Sequence, residues 1–179
     1  MSRSKLNFSL FYLFVLPVTV ACSETEPTET ASLEGFVGFP NSAILDVYKT
    51  PTCGCCSGWI EHVEQAGITT KTHHPEDLNE IKESFGISPH IQSCHTAVSA
   101  HGYVFEGHIP AHYIQEFLAD PPEEALGLAV PGMPLGSPGM EVGERFTPYE
   151  VLLLKTDGTT EVYVQVETSD SQYITEPES

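Results

Sequence analysis

An α/β domain is what the chain predicts, and three observations carry it. A short apolar strand pattern, Ile44 to Tyr48, is followed by apolar residues at three-to-four spacing, which is the period of a helix. The same strand-then-helix alternation recurs further on. Two hairpin signals, Ala100-His101-Gly102 and Asp157-Gly158, then separate pairs of strand-like segments.

Taken in order, Ile44-Leu45-Asp46-Val47-Tyr48 is the first strand. The following helix starts near Cys53, carries Cys56, Trp59 or Ile60, Val63 and Ala66 on one face, and stops at Gly67. Ile68 to Thr72 is a second strand. Pro75 can open a second helix, with Leu78, Ile81 and Phe85 on one face and Gly86 at its end. Thr96 to Ser99 and Tyr103 to Glu106 form a hairpin. A third helix from Pro110 turns Ile114, Phe117 and Leu118 inward. Residues 120–148 are dense in Pro and Gly and read as a long loop. Tyr149 to Lys155 and Thr160 to Val166 make a C-terminal hairpin, and an acidic tail, 167–179, is expected to fray. The core order is βαβαββα with a C-X-X-C at the first strand-to-helix junction, which is the thioredoxin order. The domain is expected over residues 42–166.

The start of the chain reads as an export signal. Arg3 and Lys5 precede a mostly apolar run, Leu10 to Leu16, too short to span a bilayer. Thr19-Val20-Ala21-Cys22 looks like a lipoprotein cleavage box, so residues 1–21 are expected to be removed and Cys22 lipidated. Residues 22–41, rich in Ser, Thr, Glu and Pro, are then a disordered acidic tether. The address implied is the periplasmic side of the envelope, with Ser23 favouring the outer membrane of a Gram-negative bacterium.

Composition excludes one class of partner. With 7 basic and 25 acidic residues the net charge is −18, and removing Arg3 and Lys5 with the signal makes it −20. Such a surface will not attract nucleic acid. Four cysteines remain after Cys22. They are too few to staple a chain of this length, which can bury an adequate core unaided, so they read as chemistry.

Three of them are crowded into Cys53-Gly54-Cys55-Cys56, where a helix N-terminus stabilises thiolates. Cys53 and Cys56 have the spacing of a redox disulfide. Cys55 would offer such an enzyme a competing, wrong disulfide, whereas adjacent thiolates can bridge several Cu(I) ions, the metal that soft sulfur selects. Cys94 precedes the third strand and can complete a four-thiolate set; its bland alternative is a buried cysteine at a strand edge. His95 is open between ligand, hydrogen-bond partner of a ligand, and surface residue. Met133 and Met140 bracket a Gly/Pro-rich stretch that can hardly form helix or strand. They can offer thioethers from a loop folded over the thiols, or simply pack against the domain. Trp59 is most simply a core anchor. The remaining histidines show no zinc-type spacing with a cysteine pair. His108 and His112, four apart at a helix start, can bind metal but more often make a solvated face. No Ser/His/Asp set, phosphate loop or paired carboxylate site stands out, so no catalytic residue is assigned.

Five stretches together resemble a known family. Tyr48 to Cys56 with Trp59, Ser93-Cys94-His95-Thr96-Ala97, Glu106 to Ala111, Gly127 to Pro134 and Gly136 to Met140 are similar to the CopG-type periplasmic copper-resistance proteins, long described only as a domain of unknown function. The resemblance covers about residues 44–166. It implies a thioredoxin-like fold holding a thiolate-bridged, multinuclear copper cluster, with redox between Cu(I) and Cu(II). By position it assigns Cys53, Cys55, Cys56 and Cys94 as family cysteines, and Met133 and Met140 as the methionine loop. The lipobox and tether depart from it and imply a membrane-anchored member, whose partners would be copper ions and periplasmic copper-handling or redox proteins. The alternatives are a thiol–disulfide oxidoreductase and a structural zinc protein with a Cys3His set.

Overall fold

The computed structural model describes residues 43–173. The expected signal (1–21), Cys22 and the tether (22–41) lie outside them. The described elements are β1 (Ile44–Lys49), α1 (Gly54–Gln65), β2 (Thr69–His73), α2 (Leu78–Ser84), a 3-10 turn (Pro89–Ile91), β3 (His95–Ser99), β4 (Val104–Glu106), α3 (Ala111–Ala119), β5 (Ala125–Ala129), β6 (Tyr149–Lys155), β7 (Thr160–Val166) and a second 3-10 turn (Asp170–Gln172). The α/β class, the βαβαββα order and the C-terminal hairpin therefore hold.

One sheet of seven strands runs in the order β2-β1-β3-β4-β5-β6-β7. β1 pairs parallel with β2 across the α1 crossover, and antiparallel with β3. β3 and β4 form the expected hairpin with Thr96 opposite Glu106. Leu45 and Val47 of β1 alternate inward and meet Trp59 and Val63 of α1, Phe105 of β4, and Ile114 and Phe117 of α3. Phe117 stands edge-on to Phe105, with ring centroids 5.6 Å apart, and to Tyr103 at 5.1 Å. This is the edge-to-face geometry aromatic quadrupoles prefer.

Three expectations need correcting. The loop expected over 120–148 contains β5, which pairs parallel with β4 and antiparallel with β6. A parallel neighbour needs a crossover, and α3 supplies it. Ala125-Leu126-Gly127-Leu128-Ala129 lacks β-branched residues, so its strand signal was weak. Position 127 must be glycine, because a Cβ there would collide with the Val104 backbone. Next, α2 starts at Leu78 rather than Pro75. Asp77 caps it by accepting from Asn79 N at 2.8 Å and Glu80 N at 3.3 Å. The residue it buries is Lys82, while Leu78, Ile81 and Phe85 are only half-buried. Finally, the tail does not fray at once: Gln172 is buried, accepts from the Tyr149 hydroxyl at 2.6 Å and donates to Gly136 O at 2.9 Å.

Candidate metal centre

Two elements present the donors, and they differ in how they do it. On one side Cys53 is the N-cap of α1, its sulfur accepting from Cys56 N at 3.3 Å. The free N–H groups and positive end of the helix dipole favour negative charge on these sulfurs. Cys53 and Cys56 are joined as a disulfide in the structure, Cys56 fully buried, and Cys55 is free with its sulfur 3.4 Å from Cys53 Sγ.

On the other side the β3–β4 hairpin brings up Cys94. Its sulfur lies 3.2 Å from Cys56 Sγ, so all four expected cysteine sulfurs fall within 4.8 Å of one another. Cys94, His95 and His108 form a second such group that shares the Cys94 sulfur. Burial pushes the Cys94 thiol up to about 12, with negative charge on Cys55 and a hydrogen bond to it adding to the shift.

His108 is the donor that sequence reasoning missed. It lies in the bend between β4 and α3, fully buried, and not on a solvated helix face with His112. Its Nδ1 donates to Pro138 O at 2.8 Å, which leaves the Nε2 lone pair facing Cys94 Sγ at 2.9 Å. A histidine that ligates metal through one nitrogen commonly donates the other N–H to a carbonyl, so this arrangement fits a ligand. Desolvation by burial lowers its pKa and keeps the ring neutral, the ligating form. A signal was available. With Thr96 opposite Glu106, extending the antiparallel register by two places sets Cys94 opposite His108.

His95 is buried, so it is not a surface residue. Its Nδ1 is 3.4 Å from Cys94 Sγ, and its Nε2 has no hydrogen-bond partner. Burial, reinforced by His108, Lys82 and Lys49, holds its pKa well below the ordinary value. A buried imidazole nitrogen without a partner is costly in a protein interior, and a metal ion is one group that would satisfy it. Trp59 is a core anchor and also a wall of this site: its ring lies 4.3 Å from that of His95, and its N–H donates to Ile109 O at 2.8 Å.

The Gly/Pro-rich loop packs against the backbone at the start of α1, the element that carries three of the cysteines. Gly139 sits so close to α1 that a Cβ on it would strike the Cys55 carbonyl and come 2.5 Å from Trp59 N, and its φ of +83° is glycine's territory. Met140 N donates to Ser137 O at 2.7 Å, leaving the half-buried Met140 next to this contact. Met133 is 54% exposed.

Comparison with solved structures decides the family. A chain titled "Copper resistance protein copG- Form 2" is 37% identical, with a TM-score of 0.67, and the match covers 70% of this chain and 99% of that one. The chain belongs to the CopG copper-resistance family. Form 1 of the same protein is also 37% identical, with a TM-score of 0.66 over 70% of this chain and 98% of that one. A family model described as "Protein of unknown function, DUF411" matches residues 91–140. That stretch holds Cys94, His95, His108 and the methionine loop, but not the Cys53 cluster. No curated protein matches the chain.

Proposed function

We propose that this protein protects against excess copper by binding Cu(I) through Cys53, Cys55, Cys56 and Cys94, several ions to a chain in a thiolate-bridged cluster. The observation that carries this reading is the approach of four sulfurs from two distant parts of the sequence to within 4.8 Å of one another. Sulfur donors this dense suit Cu(I), and bridging lets one thiolate neutralise two ions. His108 and His95 would add imidazole donors beside Cys94, and Met140, with Met133 further out, thioethers from the loop.

Loading requires the Cys53–Cys56 disulfide to open. A dithiol reductant supplies two electrons and two protons and leaves as a disulfide itself. Reclosing the pair releases two electrons and two protons, enough to reduce two Cu(II) to Cu(I). It also withdraws both sulfurs from the ligand set, so in this interconversion the Cu(I) formed would be left to Cys55, Cys94 and the imidazoles. In this reading the core is of thioredoxin type, and lipidated Cys22 tethers the domain to the outer membrane on its periplasmic side.

The Cys53–Cys56 disulfide favours a second reading, a thiol–disulfide oxidoreductase. Anaerobic Cu(I) titration of the reduced protein against a competing chelator, with Zn(II) as control, separates them. Tight uptake of more than one Cu(I) per chain, lost in C55S and C94S, supports copper binding. Weak uptake with facile reversible Cys53–Cys56 oxidation supports the oxidoreductase, and a single tight Zn(II) supports a structural zinc site.

A further inference from the structure

The feature that copper ligation leaves unused lies behind Cys94. Among the described residues, Lys82–Glu106 is the one ion pair with both side chains buried, at 2.5 Å. The Glu106 carboxylate takes three donors: Lys82 Nζ and Ser93 N on Oε1, the latter at 2.6 Å, and the Thr96 hydroxyl on Oε2 at 2.6 Å. Lys82 closes the ring by donating to Thr96 Oγ1 at 3.0 Å. Ser93 immediately precedes Cys94, and Thr96 immediately follows His95. The residue just past the end of β4, Gly107, donates its N–H to His95 O at 3.0 Å, and the one after is His108.

We propose that Glu106 is a positioning residue of the metal centre: its carboxylate grips the chain on both sides of Cys94–His95, and Lys82 holds the carboxylate in place. The proposal rests on the copper reading for its purpose but not for its geometry. Stability alone explains the arrangement poorly. Removing two charges from water is costly, and apolar residues of similar volume often do as well or better. What an apolar pair cannot do is accept the Ser93 N–H and fix where Cys94 points. The hydroxyl of Ser93, hydrogen-bonded to Gly132 O, ties the same turn to the start of the methionine loop.

The test uses the reduced, metal-free protein, with the double variant K82M/E106L, which replaces the pair without leaving a lone charge, and E106Q, which keeps its shape. Two readouts are independent of each other. Alkylation mapped by mass spectrometry reports the exposure of Cys94 without any metal. Copper X-ray absorption after Cu(I) loading reports the ligand shell. Thermal unfolding identifies which variants remain folded. Loss of these hydrogen bonds should raise the Cys94 alkylation rate about tenfold in the double variant, and less in E106Q. Alkylation of Cys55 should not change. The copper spectrum should shift toward that of C94S. If wild-type protein takes up no Cu(I), the copper reading fails while the alkylation result still decides the positioning role. Wild-type alkylation of Cys94 in every folded variant, or a wild-type copper shell in them, overturns the proposal.

Discussion

The two sides of the candidate metal centre are built by opposite means. The α1 side is local: three cysteines within four residues, placed by one helix start, two of them half-buried and Cys56 buried, with the Cys56 N–H donated to the Cys53 sulfur. The hairpin side is non-local: Cys94, His95 and His108 are brought together by strand register, closed over by Trp59 and Pro138, and backed by a buried ion pair. Local sites tolerate change in distant packing. Sites built by register inherit every shift of the sheet. The α1 side should therefore behave as a reactive thiol cluster, and the hairpin side as a rigid clamp that sets affinity.

The largest break in this comparison is the shared sulfur. Cys94 belongs to both donor groups, so C94S should lower Cu(I) affinity by more than about 100-fold and reduce the copper held per chain. Competition titration beside C55S measures it. A C94S loss no greater than that of C55S would erase the distinction between the sides. H108N comes next. It is expected to weaken Cu(I) binding by about 10- to 100-fold while the cysteines still react normally with a thiol reagent. G139A tests the loop that roofs the site. Strain at φ +83° plus the collision with α1 should cost about 2–4 kcal/mol in denaturant unfolding and loosen Met140.

A smaller effect is expected from pH. His95 and His108 have lowered pKa values in the fold, so the unfolded chain binds their protons more readily below about 6.5. Metal-free stability should fall as pH drops through that window, by at most about 1.4 kcal/mol per pH unit for each ring. Cys94 has the opposite sign: raised to about 12, it leaves stability intact below its ordinary 9.0 and erodes it as pH climbs above. Unfolding curves from pH 5 to pH 10 should therefore dome, and H108N should flatten the acid limb. The smallest effect belongs to M133A, since Met133 is exposed. M140A should cost more Cu(I) affinity than M133A, and the reverse order would move the loop's working residue.

What was legible in the sequence follows the same division. The Cys53 cluster, its helix start and the two hairpins are encoded in short stretches, and short-range patterns expose them. His108 was hidden because spacing along the chain grouped it with His112, whereas the hairpin register groups it with Cys94. Lys82 was hidden because a lysine on a helix reads as solvated until a buried carboxylate is found for it, and Glu106 lies 24 residues away. The fifth strand was hidden because glycine at 127 answers to the Val104 backbone rather than to its neighbours in sequence. The methionine loop falls between these cases: its composition marked it as unusual, but only Gly139 against α1 fixes where it sits.

Copper K-edge X-ray absorption on the reduced, Cu(I)-loaded protein tests most directly whether both sides hold the metal. A first shell dominated by sulfur, with copper–copper scattering and a minor nitrogen contribution that falls in H108N, is the predicted result. A single copper in a nitrogen- and oxygen-rich shell, unchanged in C55S and C94S, would contradict it.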